Sequence, residues 1–254
     1  MKQALFLSWL TTMIFHGYAQ SVFTYDVKKD IAVGSLALGV SAASFFVENK
    51  PANAPGVLDK KMVNSFDRSL LFPYHRTLDK ASDWGVYGLL ALPALSVMKN
   101  INDGDALLSY GVMYAEAALL TYGTVHLLKN ALIRYRPYMY SGGVPAGKED
   151  DYYDSFPSGS TAMAFLAAGF LTATFTAEYP DSPWKIPLAG GAYVLAGGIA
   201  AGRIVSGSHF LSDVITGAAI ASLYGYVIPA LHKRQSNEAA LRITGNEITV
   251  SLKF

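Results

Sequence analysis

Three short polar clusters interrupt an otherwise apolar chain, and their residue types suggest phosphate chemistry. In the first, Lys129-Asn-Ala-Leu-Ile-Arg134-Tyr-Arg136-Pro137, Lys129 and Arg136 are seven residues apart, so a helix would carry both on one face before Pro137 ends it. The second, Phe156-Pro157-Ser158-Gly159-Ser160, is a tight turn opening an apolar run. Amides at a helix start point outward unpaired, and with the Ser158 hydroxyl they form a seat for an anion. The third, GRIVSGSHFLSD, closes one apolar run at Arg203 and opens another with His209 and Asp213 four residues apart. That spacing lets Asp213 accept a hydrogen bond from one ring nitrogen of His209, leaving the other as nucleophile or base. Taken singly, each cluster has a plainer reading: cationic anchors at a membrane interface, an ordinary N-cap serine, a structural histidine-aspartate bridge. Together they supply three cations, a helix N-terminus and an oriented imidazole, the equipment for phosphoryl transfer through a phosphohistidine.

Apolar segments must position these clusters. Of 254 residues, 52% are hydrophobic and only 15% charged, with 23 glycines. That composition fits one compact body with much of its surface facing lipid. A net charge of +1 gives no basic face for nucleic acid, and the absence of cysteine excludes disulfides and thiolate metal sites. Six stretches, near Ile31–Val47, Trp84–Met98, Ala106–Leu128, Thr161–Ala177, Ile186–Val205 and Phe210–Leu231, lack strand alternation and read as helices. The expected fold is therefore all-α, a membrane bundle of about five to six apolar helices. A soluble helical protein is the alternative, because the segment lengths straddle what a bilayer requires.

Residues 1–19 have the outline of a secretory signal peptide, with an uncleaved anchor as the confusable case. Residues 20–105 then form N-terminal helices and an interfacial loop, 106–232 the core bearing the clusters, and 233–254 a tail. In that tail LRITGNEITVSLKF alternates about a Gly245-Asn246 turn, the pattern of a small β-hairpin. The acidic loop with Glu149, Asp150, Asp151 and Asp154 reads as a solvated surface.

The three clusters resemble the signature of the type 2 phosphatidic-acid phosphatases, the superfamily that also contains bacterial acid phosphatases and vanadium haloperoxidases. Lys-x6-Arg-Pro matches at Lys129 to Pro137, Pro-Ser-Gly at Pro157 to Gly159, and Arg-x5-His-x3-Asp at Arg203, His209 and Asp213. The resemblance implies that Lys129, Arg136, Ser158, Gly159 and Arg203 hold the phosphoryl oxygens, that His209 attacks phosphorus, and that Asp213 orients it. It implies no cofactor and no metal, consistent with the lack of a ligand cluster along the sequence. The implied activity is hydrolysis of a phosphoric ester or diphosphate.

Ser160 departs from that signature, which ends its second part in a histidine that protonates the leaving oxygen. General acid catalysis contributes about 10²–10⁴-fold, and an alkoxide leaving group needs it most. His126, one turn before Lys129, and Tyr152, Tyr153 or Asp154 are candidate substitutes. The sequence thus predicts a membrane-bound phosphatase acting on a lipid-linked phosphomonoester or diphosphate. The alternatives are a soluble periplasmic acid phosphatase, a phosphate-binding homologue with impaired turnover, or a lipid phosphotransferase. The expected partners are a phosphorylated lipid and the membrane, in a bacterial inner membrane with the site facing the periplasm. Nothing in the sequence specifies an oligomeric state.

Overall fold

The computed structural model describes residues 21–47 and 50–234, together with the backbone of Ala239–Thr244 and Glu247–Leu252. The expected signal peptide, 1–19, and the Gly245-Asn246 turn lie outside these residues. Among the described residues seven α-helices follow one another: α1 (Val27–Phe46), the single-turn α2 (Ser65–Arg68), α3 (Arg76–Leu90), α4 (Gly104–Ala131), α5 (Gly159–Glu178), α6 (Lys185–Val205) and α7 (Leu211–His232). Strands β1 (Ala239–Thr244) and β2 (Glu247–Leu252) pair antiparallel, with Ala239 opposite Leu252.

Local chemistry starts several helices. Asp26 accepts the amides of Lys28 and Lys29 to open α1, Asn64 accepts that of Asp67 to open α2, and Asp103 accepts those of Asp105 and Ala106 to open α4. Among the described residues four helices, α1, α5, α6 and α7, are long and apolar enough to cross a membrane by length and composition. This corrects the expected five to six. The Trp84–Met98 stretch is not one helix: α3 ends at Leu90, and Leu92–Asn100, with Pro93 near its start, winds on as a 3₁₀ helix. The 28 residues of α4 are diluted by Glu116 and by Tyr110, Tyr114 and Tyr122, so α4 falls outside that set.

Helix α5 is the axle of the bundle, packed against α7, α6, α3, α4 and the 3₁₀ segment. Met113, Ala117, Leu166, Phe170 and Ala221 fill one core between α4, α5 and α7. A second core, with Leu89, Ala167, Leu171 and Ala196, joins α3 and α6 to the opposite side of α5. Small residues let the helices approach closely, as membrane bundles favour. A Cβ on Gly217 of α7 would lie 2.5 Å from the Ser158 carbonyl oxygen, so only glycine admits the start of α5 there. The packing brings the C-terminal ends of α4 and α6 and the N-terminal ends of α5 and α7 together.

Candidate active site

Ser158 is the N-cap of α5, yet its side chain caps no backbone amide. Its buried hydroxyl donates to Thr161 Oγ1 at 2.9 Å, and its own amide donates to the Asp213 carbonyl at 3.0 Å. The first amides of α5, from Gly159 onward, thus keep the outward-facing donors that suit an anion. The polar turn between α6 and α7 faces this seat. Gly207 has φ of +70°, and a Cβ there would meet the Phe72 and Pro73 carbonyl oxygens at 2.6 and 2.7 Å. Glycine is therefore required where the turn reverses toward His209.

His209 is buried, 2% exposed. Its Nδ1 lies 2.7 Å from the Ser155 carbonyl oxygen, which can only accept, so Nδ1 carries the ring proton. Nε2 lies 3.0 Å from Arg136 Nη1 and presents its lone pair to that guanidinium. Asp213 does not take the role expected of it. Its Oδ2 is 3.7 Å from His209 Nδ1, beyond hydrogen-bond reach. The i, i+4 argument requires both residues in one helix, but α7 begins at Leu211, after His209. Asp213 instead sits in the first turn and reaches back to the Phe210 amide at 2.8 Å, accepts from Ser155 Oγ at 2.6 Å, and pairs with Arg134. It holds the loop segment carrying Ser155, whose carbonyl in turn holds His209.

The three cations converge on this seat, each with an oxygen partner. Arg136 donates through Nε to the Asp151 carbonyl at 2.7 Å and through Nη1 to the Ser208 carbonyl at 3.0 Å, and its Nη2 lies 3.3 Å from Asp151 Oδ2. Arg203 Nη1 is 2.8 Å from both Asp79 Oδ1 and Asp83 Oδ1. Its Nε is buried without a hydrogen-bond partner. Lys129 donates to the Asp154 carbonyl. Burial and the neighbouring charges of Arg136, Arg203 and Lys129 hold His209 well below the usual histidine range, so the ring is a neutral base. At Asp79 burial pushes upward, but the charge of Arg203, the Ser208 hydroxyl and Lys148 outweigh it and bring the carboxyl to about 2.

The acidic loop is only partly solvated. Asp150 is exposed, but Asp151 pairs with Arg136 and accepts from the Tyr138 hydroxyl at 3.1 Å. Asp154 Oδ1 is buried with no hydrogen-bond partner, and burial raises its pKa. Tyr152 is buried against Tyr138 and Met139. Asp67, Asp79, Asp83 and Ser155 escape the sequence reading because each meets its partner across a long stretch of chain. The only local signal was Asp79 and Asp83 lying four apart on one face of α3.

Ser160 donates to Asp83 Oδ1 at 2.7 Å. Both line a cavity of about 590 Å³ that runs from Gly159 between α3, α4 and α5, past Tyr87, Tyr122 and Met163. His126 lines it too, its ring packed on Tyr122 with centroids 4.0 Å apart. A mostly apolar chamber of a size suited to part of an amphipathic molecule thus adjoins the candidate anion seat at Gly159 and Ser160.

Residues 107–237, more than half of the chain, match the pattern of the PAP2 superfamily. The chain is also 33% identical over 156 residues to a lipid A 1-phosphatase of Porphyromonas gingivalis; the alignment takes in 60% of this chain and 30% of that relative's length. The chain thus spans under a third of that relative. No solved structure matches.

Proposed function

The chain belongs to the PAP2 superfamily, and from that premise we propose that it is a membrane-bound phosphatase that hydrolyses a lipid-linked phosphomonoester or diphosphate. The observation that carries this reading is the state of His209: its Nδ1 proton is committed to the Ser155 carbonyl, and its Nε2 lone pair faces the Arg136 guanidinium of the candidate phosphate seat. The substrate phosphoryl group enters among Lys129, Arg136, Arg203 and the first amides of α5, and Arg136 shifts from Nε2 to a phosphoryl oxygen. The Nε2 lone pair then forms a bond to phosphorus as the bond to the leaving oxygen breaks, giving a phosphohistidine. Water attacks that phosphorus next, the P–N bond breaks, and inorganic phosphate leaves. Asp213 acts as a positioning residue through Ser155. No step calls for a metal.

The missing histidine at Ser160 shapes substrate preference. A phosphate leaving from a diphosphate is a weak base and departs with little protonation, whereas an alkoxide does not. Asp154 is the best-supported substitute acid, with a buried, unpartnered oxygen beside Lys129. The apolar chamber beside Ser160 and the named lipid A 1-phosphatase relative favour a lipid-borne phosphate over a small soluble ester. The four apolar helices support residence in an inner membrane; we assign the phosphate site to the periplasmic side because Lys233 and Arg234, at the opposite end of α7, follow the positive-inside tendency.

The test is phosphate release from a panel of phosphatidic acid, phosphatidylglycerol phosphate, a polyprenyl diphosphate and lipid A, by wild type and His209→Ala. Release from at least one lipid, reduced about 10³-fold or more by the substitution, is expected. Phosphate binding without release from any of them would leave a binding protein in place of the enzyme.

A further inference from the structure

One buried cluster among the described residues takes no part in the phosphate site. Asp30 in the first turn of α1, Glu116 midway along α4 and His232 at the end of α7 are all buried, and their ligand atoms lie within 4.8 Å of one another. His232 Nε2 is 2.5 Å from Asp30 Oδ1 and 3.4 Å from Glu116 Oε2. His232 and Asp213 stand at opposite ends of α7, about 28 Å apart along its axis at 1.5 Å per residue, so this cluster is separate from His209 and its partners.

The distribution of lone pairs shows what the cluster requires. His232 Nδ1 lies 2.9 Å from the Ile228 carbonyl oxygen, an acceptor only, so Nδ1 carries the proton. In the neutral ring, Nε2 then turns a lone pair toward two carboxylates. Neither carboxylate oxygen of Glu116 has a hydrogen-bond partner, although both are buried. Asp30 is anchored from behind, its Oδ2 accepting the Asp26 amide at 2.8 Å. Three electron-pair donors converge in a volume closed to solvent, an arrangement that needs a proton or a metal cation at its centre. A histidine that donates its second ring N–H to a backbone carbonyl is also the usual arrangement of a metal ligand, because that bond fixes the tautomer.

We propose that Asp30, Glu116 and His232 bind a divalent transition-metal ion of the zinc class, to which one imidazole nitrogen and two carboxylates are a suitable donor set. The ion would neutralise both carboxylates and tie α1, α4 and α7 together at the end of the bundle away from the phosphate seat. Ligand atoms about 2.1 Å from a tetrahedral ion are about 3.4 Å apart, which is the present spacing of His232 and Glu116; Asp30 would draw back to a similar distance.

The experiment uses the full chain in detergent, stripped with a chelator, dialysed and titrated with Co²⁺ alone. The expected result is visible ligand-field absorption that saturates near one equivalent per chain and is displaced by Zn²⁺. Glu116→Gln, which preserves side-chain shape, should weaken Co²⁺ binding at least about 100-fold, and His209→Ala should leave it unchanged. Zn²⁺ should also raise the melting temperature of wild type. Uptake below about 0.1 equivalent by wild type would overturn the proposal and leave a proton on His232 as the cation. So would equal affinity in Glu116→Gln, or loss of binding in His209→Ala. Because binding is read directly, the outcome does not depend on whether the phosphate site turns over.

Discussion

His209 owes its readiness to a backbone carbonyl rather than a carboxylate. The Ser155 oxygen fixes the tautomer, and burial together with the surrounding cations keeps the ring neutral, so an Nε2 lone pair persists into mildly acidic solution. In the proposed reaction, Ser160 and Asp154 bear on protonation of the leaving group. Replacing Ser160 with histidine places an acid beside Asp83, to which Ser160 now donates. Lipid monophosphate hydrolysis by Ser160→His should rise by about 10-fold or more, and an unchanged or lower rate would mean that another group already donates the proton. If that group is Asp154, Asp154→Asn should slow monophosphate hydrolysis at least about 10-fold while changing diphosphate hydrolysis less than about threefold. Equal losses on both substrates would make Asp154 a structural residue. The candidate phosphate-binding clusters were legible in the sequence because each is local: a helix end with its cations, or a turn with its glycine. The tether on His209 was not legible. Asp213 looked like its partner by spacing, but His209 precedes α7, and the first-turn position commits Asp213 to capping Phe210.

Among the elements, α3 most changes what the sequence suggested. It reads as part of an apolar span, yet its Asp79 and Asp83 reach across to Arg203 at the end of α6, and Ser208 Oγ donates to Asp79 at 2.6 Å. The Leu92-Pro93 pair, where the span gives way to a 3₁₀ helix, was a visible breaker; the carboxylate partners of Arg203, more than a hundred residues away, left no local trace. The network has a pH signature. The folded carboxyl of Asp79 lies near 2, below its ordinary 3.8. Its contribution is therefore complete above the unfolded value and is lost as pH falls toward the folded one. A shift of this size corresponds to about 2 kcal/mol. Asp79→Asn should melt lower than wild type at pH 7, and the gap should narrow as pH drops from about 4.5 to 3. A gap independent of pH would show that Asp79 acts through shape or neutral hydrogen bonds.

Over the whole molecule, the described residues gather buried charge at the candidate phosphate seat, at the Asp30, Glu116 and His232 cluster, and at Glu178, which pairs with Lys99. The phosphate seat gathers where α4 and α6 end and α5 and α7 begin, as the order of the sequence clusters required. The Asp30, Glu116 and His232 cluster lies toward the far end, and no local pattern revealed it because its members come from three helices distant in sequence. Lys233 and Arg234 follow α7 at that far end, and a cytoplasmic location for them accords with the positive-inside tendency. A cysteine introduced at the exposed Asp150 should then react with a membrane-impermeant reagent in intact spheroplasts. Protection there, with labelling only after lysis, would turn the phosphate site toward the cytoplasm.

The central claim is that His209 carries the phosphoryl group. Rapid mixing of the purified protein with a hydrolysable lipid phosphate, quenched in alkali to preserve a P–N bond, tests it through peptide mass spectrometry. The account predicts a transient phosphate on His209 in wild type, formed before steady-state release and absent from His209→Ala. Turnover at the wild-type rate by His209→Ala, or turnover by wild type with no phosphate on His209 at any time, would contradict it.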